Sequence, residues 1–190
     1  MASTIQVDKI QDTGGNTILQ SNGSGTATTT LPVGFGGTGA TTLAGAGLAN
    51  TPMWYVRSTT DQTINENAYT KIEWNSEVID TDSAFASNKF TVPSGKAGKY
   101  YLSTGVGFYD CSAQEHHYVL FYKNGSNVSA DPTGITTVAD DTDRYWQTNN
   151  MIVDLAVGDY VEVYGLFSSA SGDTTSTSNY SYFTGYKLIG

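Results

Sequence analysis

Along residues 116–123, apolar side chains occupy both alternating sets of positions: Tyr118, Leu120 and Tyr122 on one side, Val119 and Phe121 on the other. Residues 180–189 repeat the pattern, with Tyr182, Tyr186 and Leu188 set against Phe183 and Ile189. Alternation with period two marks a strand, and a strand apolar on both faces needs more cover than a sandwich with one wet face provides. Contact between subunits supplies that cover; tyrosine lying flat on a solvated face is the other reading. Shorter runs predict further strands near residues 53–57, 69–74, 88–92, 99–110, 127–138 in part, 145–155 and 160–168. Asn124-Gly125 is a type I′ hairpin signal, and Val157-Gly158-Asp159 closes a second tight turn. From Met53 onward the chain therefore reads as an antiparallel β-sandwich.

The first 51 residues have a different texture. They hold one aromatic residue, Phe35, three charged residues, Asp8, Lys9 and Asp12, ten glycines and eleven threonines. Such a segment buries too little apolar surface to fold alone. Ile5 and Val7 share one face of a short strand, Ile18 and Gln20 one face of another, and Gly14-Gly15 marks the turn between them. Residues 33–50 read as a Gly-rich turn followed by a short helix from about Thr41 to Leu48, or as a flexible linker. The predicted organisation is an N-terminal anchoring or stalk segment at 1–30, a Gly-rich connector at 31–51 and a head at 52–190.

Composition narrows the functions open to this chain. Only 14% of its residues are charged and the net charge is -9. Lys and Arg are scattered, which leaves no basic stripe to neutralise phosphates, so nucleic acid is not expected as a partner. No apolar run approaches the roughly 18 residues of a spanning helix, which argues against membrane insertion. A charged segment followed by an apolar one does not open the chain, so secretion is not expected. Cys111 is the only cysteine, so no disulfide forms within the chain.

Four motifs in the head carry a resemblance. Phe90-Thr91-Val92-Pro93 followed by Gly98-Lys99-Tyr100-Tyr101-Leu102 resembles the Phe-Thr-x-Pro…Gly-x-Tyr-x-Phe signature of the C1q/TNF-like jelly roll. Tyr122-Lys123-Asn124-Gly125 is similar to that family's Tyr-Lys-Asn-Gly hairpin, residues 155–161 to its Leu-x-x-Gly-Asp-x-Val turn, and Phe183-Thr184-Gly185-Tyr186 to its closing Phe-Ser-Gly-Phe. Four residues rather than two separate Pro93 from Gly98, and Leu102 replaces Phe, so this loop is expected to differ in shape. The resemblance implies an all-β, antiparallel jelly roll that forms a homotrimer around a threefold axis. Residues 36–42, Gly-Gly-Thr-Gly-Ala-Thr-Thr, and the opening STIQVDKIQDTGGNTI resemble the connectors and N-termini of phage fibre proteins, although the Arg usual in the helix after the connector is missing. That second resemblance implies a place on the virion, other virion proteins as partners of the N-terminal segment, and a host-surface glycan or protein as partner of the head. A purely structural head fibre, decoration or adaptor protein is the alternative, and a tail enzyme acting on polysaccharide a third.

Catalytic chemistry has little to build on. His116 and His117 are adjacent, so a strand turns them to opposite faces, and no His/Cys set has metal-ligand spacing. Asp140, Asp141 and Asp143 offer hard oxygen ligands for calcium, a cation that some members of the resembled family bind, but without the spacing of a defined calcium loop. A solvated turn is the competing reading, no other cofactor is expected, and the chain is not expected to be an enzyme. The Asn-x-Ser sites at Asn22, Asn124, Asn127 and Asn179 read as turn chemistry. Strand parity, counted back from a last strand that returns to the base, places loops 111–115, 139–144 and 169–179 at the far tip and turns 124–126 and 156–159 near the stalk. Asp140, Asp141, Asp143, Arg144, Tyr145 and Trp146 join charge to aromatic surface there and are the candidate receptor-binding residues.

Overall fold

In the computed structural model, which describes residues 9–20, 51–111, 116–129, 133–136, 142–168, 174–177 and 180–188, every regular element is a strand. The chain divides into two units, Met1–Ala49 and Asn50–Gly190. In the first, β1 (Lys9–Gln11) and β2 (Thr17–Gln20) pair antiparallel. The turn between them is held by Asp12, whose carboxylate accepts bonds from the backbone N–H groups of Gly14 (2.9 Å) and Asn16 (2.8 Å) and from the Asn16 amide (2.9 Å). Those bonds hold the Asp12 carboxyl below its ordinary pKa, Asn16 contributing most. The predicted turn at Gly14-Gly15 thus forms, whereas Ile5, Val7 and the predicted helix from Thr41 to Leu48 lie outside the described residues.

The second unit is a two-sheet antiparallel sandwich. Sheet I has seven strands: β3 (Met53–Arg57), β4 (Gln62–Asn65), β6 (Ser76–Asp80), β9 (Gly98–Cys111), β13 (Thr142–Leu155), β15 (Thr174–Thr177) and β16 (Tyr182–Lys187). Within it, β9 lies between β13 on one side and β15 with β16 on the other, and β16 hands on to β3 and β6. Sheet II, also of seven strands, contains β5 (Thr70–Lys71), β7 (Phe85–Ala86), β8 (Lys89–Thr91), β10 (His116–Lys123), β11 (Ser126–Asn127), β12 (Thr133–Thr136) and β14 (Tyr160–Ser168). Its centre is the pairing of β10 with β14 from His116↔Ser168 to Lys123↔Val161.

The two inner faces meet in an aromatic core. Trp54 of β3 stacks on Phe90 of β8 with centroids 3.8 Å apart and planes 9° apart, and Phe183 of β16 meets the same indole edge-on at 5.4 Å. Tyr100 of β9 lies 5.5 Å from Phe90 and donates its hydroxyl to the Lys96 carbonyl at 2.6 Å. Burial, then the charge of Asp82, pushes that hydroxyl's pKa up. Two of the four motifs of the resemblance thus supply rings to one cluster.

Two motifs also bond to each other. Asp159 receives Lys123 Nζ at 2.8 Å, the Asn124 amide at 2.7 Å and the Ala156 N–H at 2.8 Å, while Asn124 Oδ1 accepts the Tyr160 N–H at 2.9 Å. Lys123 and Asn124, with Ala156 contributing less, hold the Asp159 carboxyl at a pKa of about 2. The backbone at Asn124 and Gly125 has φ of 51° and 77°, as the hairpin signal requires. Gly125→Ala is expected to cost about 1 kcal/mol, read as a lowered urea midpoint with unchanged slope.

Several edges differ from expectation. β4, β6, β7 and β15 carry no sequence signal: most are short and polar, and β6 exposes Glu77, Val78 and Ile79 in succession, so no alternation marks it. The predicted loop 139–144 is shorter because β13 begins at Thr142, and loop 169–179 is interrupted by β15. The long loop after Pro93 uses Lys96, whose Nζ donates to Thr51 Oγ1 at 3.0 Å and pairs with Asp82 at 3.6 Å.

Candidate binding surfaces

The register fixes which strand ends lie together. Cys111 pairs with Thr142, and His116 pairs with both Ser168 and Thr136, so the segments 112–115, 137–141 and 169–173 all leave from one end of the sandwich. Gly98 pairs with Leu155 and Lys123 with Val161 at the other end, where the Lys187 N–H also donates to the carbonyl of Pro52 at 3.0 Å. The chain therefore enters this unit beside the tight turns, and the strand ends at Cys111, His116, Thr142 and Ser168 lie at the opposite end.

Of the candidate tip residues, Asp140 and Asp141 lie outside the described residues. Asp143, Arg144 and Tyr145 belong to β13, with Arg144 across from Tyr109 and Tyr145 across from Phe108. Asp143 and Arg144 are thus strand residues rather than loop residues, because the pairing with β9 continues to Cys111. Trp146 is 46% exposed and sits across from Gly107. Among the described residues, no three His, Cys, Asp or Glu side chains come together as a metal site. His117 is fully buried between Phe108 (4.8 Å) and Phe167 (5.8 Å), and burial, with the neighbouring His116 contributing less, lowers its pKa to about 4.

Both outer faces are aromatic. On sheet I, cross-strand neighbours form a continuous row of Met53, Tyr186, Tyr101 and Ile152 across four strands, and Ile152 is 61% exposed. Tyr101 and Tyr186 lie 5.5 Å apart, and Tyr55 and Tyr182 form a second pair at 6.2 Å. On sheet II, Tyr122 packs 4.1 Å from Tyr164 and 6.3 Å from Tyr69. Burial first, and then Tyr69 and Tyr164, raise the pKa of Tyr122; burial first, and then Glu162 and Tyr160, raise that of Tyr164. Beside these rings lies an open hollow of about 340 Å³, lined by Tyr69, Tyr118, Leu120, Asn127, Leu166 and Ser168. Alternation along the sequence marks Tyr118 and Leu120 as one apolar face but does not reveal the hollow, whose other residues come from separate segments.

No family model and no curated protein matches this chain. Solved structures do. The globular domain of zebrafish complement 1qA protein is 14% identical, with a TM-score of 0.46 over 73% of this chain and 98% of that one. Murine APRIL is 15% identical (TM-score 0.50, 72% and 98%), and Eiger TNF from S. frugiperda is 13% identical (TM-score 0.51, 72% and 91%). The strand order and the likeness to the latter two structures show the fold to be a C1q/TNF-like antiparallel jelly roll.

Proposed function

We propose that this C1q/TNF-like jelly roll is the head of a homotrimeric phage fibre protein, held on the virion by its N-terminal segment and attaching to the host cell surface by its far end. The observation that carries the reading is the polarity of the head: the chain enters at Pro52 beside the tight turns, and the segments 112–115, 137–141 and 169–173 leave from the opposite end. Recognition is commonly placed on loops carried by a rigid scaffold. Three copies around one axis would present that end three times, and tethering raises effective concentration enough for avidity gains of roughly 10² to 10⁴. The N-terminal resemblance supplies the virion half of the proposal.

Trimerisation has its own support in the row of Met53, Tyr186, Tyr101 and Ile152, an apolar band that the isolated head leaves facing outward. We assign it to the subunit contact. Ile152→Glu sets a like charge from each copy into that contact and is expected to yield a folded monomer, read by sedimentation with unchanged circular dichroism. A trimer that persists in this variant would move the contact elsewhere.

Attachment is tested by adsorption of the purified protein to host cells. Replacing Asp140, Asp141 and Asp143 together by Ala is expected to reduce adsorption at least tenfold while leaving the sedimentation coefficient unchanged. Sensitivity to a calcium chelator in the wild type would add a metal-assisted contact; loss without such sensitivity indicates direct contact. If the triple variant adsorbs like the wild type, these residues are not the receptor site. Binding to virion proteins alone, with none to host envelopes, would favour a purely structural component.

A further inference from the structure

We infer that the hollow on the outer face of sheet II is a lateral binding site for a neutral saccharide, distinct from the tip. The inference rests on the attachment reading for its biological sense but on its own residues for its chemistry. Across the β10–β14 pair, Tyr118 faces Leu166, Leu120 faces Tyr164 and His116 faces Ser168, so Tyr118, Leu120, Leu166 and Ser168 share the outward surface. β5 extends it, because Gly165 pairs with Thr70 and so brings Tyr69 alongside Leu166. On the other flank, Tyr118 pairs with Gly134, which has no side chain to fill the space.

The lining suits a sugar ring. Tyr69 is 57% exposed, whereas Leu120 on the same surface is 1% exposed and forms an apolar bed. An aromatic face beside apolar surface accepts the C–H side of a pyranose, as tyrosine does in recognition surfaces that are apolar at one end and wet at the other. One polar partner is already oriented. Asn127 Oδ1 accepts the Ser129 N–H at 2.9 Å, which fixes the amide and turns its Nδ2 hydrogens to use as donors toward a hydroxyl. Ser168 and the Tyr69 and Tyr118 hydroxyls donate or accept as needed. None of the six lining residues is charged, and the chain carries -9 overall, which disfavours uronates and sialic acids. The volume, about 340 Å³, falls at the small end of the roughly 300–1,000 Å³ range of small-ligand sites and fits one or two sugar units.

The test titrates the full-length protein with the methyl glycosides of glucose, galactose, mannose and N-acetylglucosamine, and with maltose and lactose, using saturation-transfer NMR and calorimetry. Sialic acid and glucuronic acid serve as anionic controls. At least one neutral sugar is expected to bind, with transfer strongest at its ring C–H protons, and Tyr69→Ala or Asn127→Ala should each weaken it tenfold or more without changing the melting temperature or the sedimentation coefficient. Absence of binding across the neutral panel overturns the inference, as does binding that both variants retain or that the acids share. Dissociation of the assembly in Tyr69→Ala would also overturn it, by assigning the hollow to a subunit contact. Failure here leaves adsorption at the tip standing; sugar binding without any adsorption to cells would leave this site intact and remove the attachment reading.

Discussion

Gly185→Ala is expected to destabilise the head by about 3 kcal/mol, the upper part of the usual range for forcing extra volume into a packed core. A Cβ at residue 185 would lie 2.4 Å and 2.5 Å from two atoms of the Trp54 indole and 2.8 Å from the carbonyl oxygen of Tyr101. Residue 185 is paired with Trp54 on one side and Leu102 on the other, so its strand has no direction in which to yield. The indole is held in turn by its stack on Phe90 and its edge contact with Phe183. Denaturant unfolding should show a lowered midpoint, and Trp54→Phe in the Gly185→Ala background should recover part of the loss, because the smaller ring vacates the clashing volume. If the single variant is as stable as the wild type, the tight approach of Trp54 to this strand is wrong.

Acidification is expected to destabilise the head between pH 6.5 and 4, well above the range in which its best-held carboxylate titrates. The cause is His117, whose pKa is lowered from 6.5 to about 4 by burial and, to a smaller degree, by His116. Between those values the unfolded chain binds a proton that the folded chain refuses, so stability rises with pH through the window. The contribution is fully present above pH 6.5 and falls away as the pH drops. Each tenfold difference in proton affinity between the folded and unfolded chain is worth roughly 1.4 kcal/mol, so the loss reaches about 3 kcal/mol at the acid end. Asp159, held at about 2 by Lys123 and Asn124, adds its own loss only as the pH falls further toward that value. Melting temperatures measured from pH 7 to pH 4.5 should fall steeply in the wild type and much less in His117→Gln. Equal slopes would remove His117 as the source.

The parts of the fold legible in the sequence are those in which one strand carries a complete signal. β10 and β14 are runs of eight and nine residues rich in aromatic and β-branched side chains, and β9 extends over fourteen. The Asn124-Gly125 turn specifies its own geometry locally. The motifs of the resemblance are recognisable one by one, while their reason for co-occurring is not: Asp159 binds Lys123 and Asn124, and Gly185 makes room for the ring that stacks on Phe90. Edge elements such as β4 and β6 escape a sequence reading because their order comes from a neighbour rather than from a pattern of their own. The same limit applies to surfaces. Register, rather than a count of strands that omits β15, groups Cys111, His116, Thr142 and Ser168 at one end, and the hollow likewise depends on registers that bring Tyr69, Tyr118 and Leu166 together. The available hint is Tyr69, the one aromatic residue in the stretch 65–71.

If the outer apolar row of the head is covered by copies of itself, as proposed, the mass of the full chain in solution tests it most directly. Sedimentation equilibrium under reducing conditions, at micromolar concentration, is the measurement. The expected result is a single species at three times the 20.3 kDa of the chain, unaffected by reductant because Cys111 has no partner cysteine in the chain. A species of 20.3 kDa that remains folded would contradict it.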